Sequence, residues 1–191
     1  MGLFDTILGR TKPVAPQLDA IFALPSAAVS LQTSLGLVTS GRAGLCWKSP
    51  SGADAQSSLD EMRDLLNVGA NGHLAELSVD ELGYNWAVIA DPDLESQVAR
   101  IHGAHSTLVD KGLGERLLCA VFDFAPKATP SDGPLQMIYL TKSGTFYPFA
   151  ARENTQRDNE LELRVRGFLD GELPIEKDLS KWMALWGNPV A

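Results

Sequence analysis

Apolar positions follow two rhythms along this chain, and each change of rhythm marks an element. Leu18, Ile21 and Phe22 recur at helical spacing as far as Pro25, and a second helical stretch over Ser26 to Ser34 stops at Gly36. Residues 43–48, Ala-Gly-Leu-Cys-Trp-Lys, read as a strand. Past a turn at Pro50 and Gly52, Ala53 to Asn67 carries Leu59, Met62, Leu65 and Leu66 on one helix face, with Ser51 and Asp54 as polar starters. Leu74 to Val79 and Tyr84 to Ala90 flank Asp-Glu-Leu-Gly and predict a hairpin. Asp91 followed by Pro92 predicts a helix start, since a capping carboxylate precedes a residue pre-set for the first turn. The apolar stripe of that helix, Leu94, Val98, Ile101 and Leu108 with His105 in phase, runs until Gly112.

Leu117 to Ala125 is predicted as a strand and Ala125 to Pro134, with three prolines, as a loop. Leu135 to Lys142 and Thr145 to Ala150 are aromatic and β-branched runs separated by Ser143-Gly144, a two-residue turn in which Gly144 supplies positive φ. Two helices are predicted to close the chain. Thr155 to Leu169 has Leu161, Val165 and Phe168 in register, and Pro174 to Trp186 has Ile175, Leu179, Trp182 and Trp186 in one stripe. Strands come mostly in hairpins with helices between the groups. The fold class expected is therefore α+β, an antiparallel sheet built from hairpins and packed with helices. Residues 1–15 read as a short apolar segment and a proline-containing linker, and residues 16–191 as a single α+β domain.

Composition narrows the classes of function. Among 191 residues, 45% are hydrophobic and 21% charged, the balance of a chain with a packed core. The 16 basic residues against 24 acidic ones give a net charge of -8, which argues against nucleic acid as a partner. Ten of those acids lie in residues 51–99 beside one base, Arg63, so the acidity is regional. No run approaches the roughly 18 apolar residues of a membrane span, and the first residues lack the basic and apolar parts of a secretory signal. Cys46 and Cys119, far apart in sequence and in apolar surroundings, read as buried thiols in a reducing compartment. The expected location is cytoplasmic.

The chemistry-bearing residues do not assemble into a motif. His102 and His105 stand at i and i+3 on one predicted helix, but no carboxylate sits at a matching position, and His73 lies in a glycine-rich turn. No Gly-x-Ser-x-Gly elbow is present, and Cys119 in Leu-Leu-Cys-Ala-Val-Phe reads as a core thiol. The glycine clusters at 41 and 44 and at 112 and 114 complete neither a Walker loop nor a dinucleotide fingerprint and read as turns. No catalytic residue, metal or cofactor is expected.

Candidate contact surfaces are easier to name. Leu3, Phe4, Ile7 and Leu8 make a small apolar face, too short to hold as a free helix, that suits a partner or at most a peripheral membrane contact. The polar run holding Arg152, Asn154, Asp158 and Asn159 follows an aromatic strand and reads either as a helix-entry loop with capping residues or as a recognition edge.

Several motifs together carry a family resemblance. These are Leu-Phe-Asp-x-x-Leu-Gly-Arg at residues 3–10, Phe22 to Ala28, Gly83-Tyr84-x-Trp86, Gly144-Thr-Phe-Tyr-Pro-Phe-Ala150, Arg157-Asp-Asn159, and Leu173-Pro174 through Trp182 to Trp186-Gly187. With these the chain resembles, over nearly its whole length, the PspA-associated family PspAB of actinobacteria. The resemblance implies association with phage shock protein A, a membrane-stress protein, and carries over no catalytic residue. It implies an accessory or adaptor of the phage-shock response that works by protein contact, with a stress-response protein, PspA the candidate, as partner. The alternative is an enzyme or small-ligand binder of the same pathway.

Overall fold

The computed structural model describes residues 18–48, 54–127 and 133–191. Six strands, β1 Leu37–Lys48, β2 Glu76–Val79, β3 Tyr84–Ala90, β4 Leu117–Pro126, β5 Leu135–Leu140 and β6 Thr145–Phe149, form one antiparallel sheet in the order β2-β3-β1-β4-β5-β6. Four helices accompany it: α1 Leu24–Leu35, α2 Asp54–Asn67, α3 Leu94–Asp110 and α4 Asn159–Leu169. A two-stranded ribbon, β7 Ala151–Arg152 with β8 Gln156–Arg157, leads into α4. The expected α+β class with an antiparallel sheet is what the chain adopts.

Strand alternation sends successive residues to opposite sides of the sheet, and the two sides are covered differently. One side, with Leu45, Trp47, Ile89, Phe122, Phe124, Met137, Tyr139 and Phe146, packs against α1 to α4 through Leu31, Met62, Leu66, Val98, Ile101, Leu161 and Val165. The other carries Cys46, Trp86, Val88, Cys119, Val121, Ile138, Tyr147 and Phe149, and what covers it is the irregular segment 170–191 through Trp182 and Val190.

That segment corrects the predicted helix over Pro174 to Trp186. Only Leu179–Lys181 turns, as a single 3-10 turn capped by Asp178. The backbone of the segment makes only short turn bonds within itself, such as Trp182 N–H to Leu179 O at 3.1 Å, and bonds outward to the sheet: Phe146 N–H donates to Pro174 O at 2.8 Å and Glu176 N–H to Phe146 O at 2.8 Å, along the free side of β6. A sheet edge that offers backbone bonds outweighs the apolar spacing. Residues 170–191 thus form a strap that closes the β6 edge.

Other boundaries move for local reasons. Pro25 does not end a helix: it sits in the first turn of α1, entered from a 3-10 helix over Leu18–Ala23, where its missing N–H costs nothing. β1 begins at Leu37, well before residue 43, and Gly41 and Gly44 lie within it, not in turns. Gly41 has φ +82° at the irregularity where pairing with β4 shifts register. Asp93, not Asp91, caps α3, accepting from Glu95 N–H at 3.1 Å. The β5-β6 loop is four residues, Thr141 to Gly144, closed by Gly144 N–H to Leu140 O at 2.9 Å, with Gly144 at φ +67° as its geometry requires. Residues 155–157 belong to the ribbon, so α4 starts at Asn159, and Phe168 faces solvent while Leu169 is buried.

Candidate functional site

Between the sheet and the strap lies a cavity of about 370 Å³ lined by Cys46, Cys119, Trp86, Tyr147, Leu185 and Trp186, among others. Its walls come from five strands, the β2-β3 turn and the strap, so no stretch of sequence contains it. The strap reaches this position through polar anchors at each end. Arg157 Nη1 donates to Trp182 O at 2.6 Å while its Nη2 pairs with the buried Glu162 carboxylate at 2.9 Å, and its guanidinium lies 5.3 Å above the Phe149 ring centre. Glu162 also accepts from Ala150 N–H at 2.9 Å, so one buried carboxylate ties β6, the ribbon and α4 together. Tyr147 donates to Met183 O at 3.0 Å and stacks on Trp182 at 6.0 Å, and Phe149 meets Trp186 edge-on at 5.0 Å. At the far end Arg42 donates to Pro189 O and Val190 O at 2.7 and 2.9 Å.

Gly44 lets the strap sit flush: a Cβ there would meet Val190 Cγ2 at 2.4 Å and Ala87 O at 3.2 Å. The glycine serves close approach within a strand.

The β2-β3 turn supplies the opposite wall. Asp80 accepts from Trp86 Nε1 at 2.8 Å and, through Oδ1, from Leu82 and Tyr84 N–H at 3.0 and 2.9 Å. Burial opposes its ionisation, but the Trp86 bond and the backbone donors outweigh it and hold the carboxyl below the usual range. Burial raises the Tyr147 hydroxyl, so that side chain stays neutral. Also lining the cavity, Cys46 and Cys119 are register partners on β1 and β4, both free thiols. The hydrogen bond between the thiols and then burial push Cys46 upward.

The residues singled out in sequence scatter by comparison. His105 is buried, 6.5 Å from Tyr139 centre to centre, and burial lowers it to about 4. His102 lies against Phe22 at 4.6 Å, with Nε2 3.2 Å from Asp19 Oδ1, and His73 is exposed, its carbonyl accepting from Arg100. Among the described residues no three His, Cys, Asp or Glu side chains group as metal ligands. Asp158 caps α4, accepting from Leu161 N–H at 3.0 Å and from Arg152 Nη2 at 2.5 Å. Arg152, Asn154 and Asn159 are exposed, with Asn154 at φ +59° in the ribbon turn. Leu3, Phe4, Ile7 and Leu8 lie outside the described residues.

What sequence reasoning missed is the cavity and the meeting of its two thiols. The available signal was the pair of apolar contexts around Cys46 and Cys119, each an alternating strand; only the register of β1 on β4 joins them.

The molecule is thus an α+β protein with a sheet covered by helices on one side and by a strap over an apolar cavity on the other. Its chain belongs to the PspAB family, PspA associated protein B, whose model matches residues 1–190. Comparisons with curated proteins and with solved structures each found no match. Tyr84 and Trp86, Tyr147 and Phe149, Arg157, and Trp182 and Trp186, from four separate motifs that carry the family resemblance, meet around the strap. No helix among the described residues is long and apolar enough to cross a membrane.

Proposed function

We propose that this chain is a non-catalytic cytoplasmic accessory of the PspA membrane-stress response, acting by contact with a protein partner, PspA the first candidate. The observation that carries the reading is the asymmetry of the sheet edges. The β6 edge is closed by the strap, whereas β2 forms the other end of the sheet and pairs on one side with β3. An open edge strand is a ready template for an added strand. Around it Val68, Leu74, Val79 and Leu82 are exposed, Leu82 by 81%, beside Glu76 and Glu81. Apolar side chains ringed by acids suit a basic protein surface, where charge speeds encounter and contact area supplies affinity. The same acids repel anionic lipid and nucleic acid. Arg152, Asn154, Asp158 and Asn159 at the ribbon, and Leu3, Phe4, Ile7 and Leu8 near the N-terminus, are the accessory contacts in this reading.

The test is binding of purified PspA to the full chain and to Val79→Lys with Leu82→Lys. We expect at least a tenfold loss of affinity with an unchanged melting temperature. Equal binding by both proteins would remove the edge from the interface, and absence of binding by the parent chain would remove PspA as the direct partner. The cavity favours a second reading, a small-ligand binder of the same pathway, because its apolar lining is what ligand sites share. A ligand of defined mass retained on native purification would support it.

A further inference from the structure

We propose that Cys46 and Cys119 form a reversible dithiol–disulfide couple, a modification site reached through the cavity beneath the strap. Three observations meet there. The two residues are direct register partners on antiparallel β1 and β4. Such partners have Cα atoms about 4.5 or about 5.5 Å apart, depending on the pair type. Both separations fall within the span of about 4.4–6.8 Å that disulfides occupy, so the strand pairing places the two residues within bridging range. Both thiols are free and point to the same face of the sheet. And both line the cavity, although only 4% and 6% of their surfaces are exposed.

The surroundings accommodate the product, which is as uncharged as the two thiols. The lining is mostly apolar, and among the described residues no buried side-chain nitrogen or oxygen that lacks a hydrogen bond belongs to a residue lining the cavity. A disulfide places no charge there. The oxidant in this proposal is a low-molecular-weight disulfide. One cysteine, as thiolate, attacks a sulfur of that molecule; its S–S bond breaks, one small thiolate leaves and takes up the proton, and a mixed disulfide remains. The second cysteine then attacks the protein sulfur of the mixed disulfide and releases the second small thiol. Two protein thiols are oxidised by two electrons, one small disulfide is reduced to two thiols, and both protons leave on them.

The strap sets access. Tyr147 O–H to Met183 O and Arg157 to Trp182 O hold it over the thiols, so exchange is slow while these bonds stand and admits small reagents before protein ones. The experiment treats the full chain with oxidised glutathione at pH 8, blocks residual thiols and maps peptides by mass. We expect the monomer to lose two hydrogens, with Cys46 and Cys119 peptides joined, and dithiothreitol to restore both thiols. Cys46→Ser and Cys119→Ser should each stop at one glutathione adduct. Tyr147→Phe, which loses the strap bond and keeps the ring, should oxidise at least threefold faster. Stable adducts on both cysteines of the parent chain, a bridge between two chains, or thiols that stay reduced while the urea-unfolded chain oxidises would each overturn the proposal. An unchanged rate in Tyr147→Phe would overturn control by the strap.

Discussion

The two sides of the sheet are made from alternate residues of the same strands, yet they are built in different ways. On the helix side, large side chains from five strands interdigitate with four helices, and the residues there are almost fully buried. That is ordinary core packing, in which area removed from water supplies the stability. On the strap side, a segment with one helical turn is held by aromatic contacts and by hydrogen bonds from Arg42, Tyr147 and Arg157, and it leaves a cavity. A helix satisfies its own backbone and presents a continuous apolar stripe. A strap presents no such stripe and leans on side-chain anchors and a few bonds to the sheet, so it covers a surface without filling it. The free volume and the two thiols consequently share the side that is less tightly packed, where local opening costs less than global unfolding.

Substitutions on the two sides should separate these modes. The largest effect is expected from Phe122→Ala on the helix side, a loss of about 3–5 kcal/mol in denaturant unfolding. Phe122 is completely buried, and closely packed neighbours leave little room for collapse. A loss below about 1 kcal/mol would mean that the helix side is as loosely filled as the strap side.

Next comes the pH dependence of the helix side. Burial first, and the nearby His102 second, lower His105 from 6.5 to about 4. Its folded pKa lies below its unfolded value, so the unfolded chain binds the extra proton between those values. The contribution is fully present above pH 6.5 and is lost as pH falls towards 4, on the order of 3 kcal/mol over the window. His105→Leu should flatten the fall in stability between pH 6.5 and 4 relative to the parent chain. Parallel profiles would show that the imidazole titrates normally.

The smallest effect should be Gly44→Ala on the strap side, about 1–3 kcal/mol, since the added methyl meets Val190 Cγ2 and the Ala87 carbonyl and the strap must shift to admit it. Its signature is local: amide exchange should quicken in residues 182–191 and stay unchanged in α1 and α3. Uniform quickening throughout the molecule would place the strap within the same cooperative unit as the helix side.

Much of the helix side was legible along the chain. The stripes Met62 and Leu66 on α2 and Leu94, Val98, Ile101, His105 and Leu108 on α3 are buried as their periodicity requires. Both hairpins stand where turn residues interrupt alternating runs. The candidate site was legible only in fragments. Gly44 looks like a turn residue until Val190, far along the chain, is seen against it. Asp158 offers the same side chain to a cap or a partner, and the bond to Leu161 N–H shows that it caps.

Periodicity, capping residues and turn chemistry are local, so the sequence by itself determined the class of fold, the antiparallel pairing of hairpins and the helix-facing core. It also pointed to the family. The strap and the register of β1 on β4 were decided only in the tertiary structure. Ile175, Leu179, Trp182 and Trp186 satisfy a helical spacing equally well in either state, and the choice fell to the β6 edge, whose unpaired backbone at Phe146 offers Pro174 and Glu176 the hydrogen bonds a helix would otherwise provide. Cys46 and Cys119 are neighbours because two strands distant in sequence pair at one register, and a shift of a single residue would have turned either thiol to the opposite face.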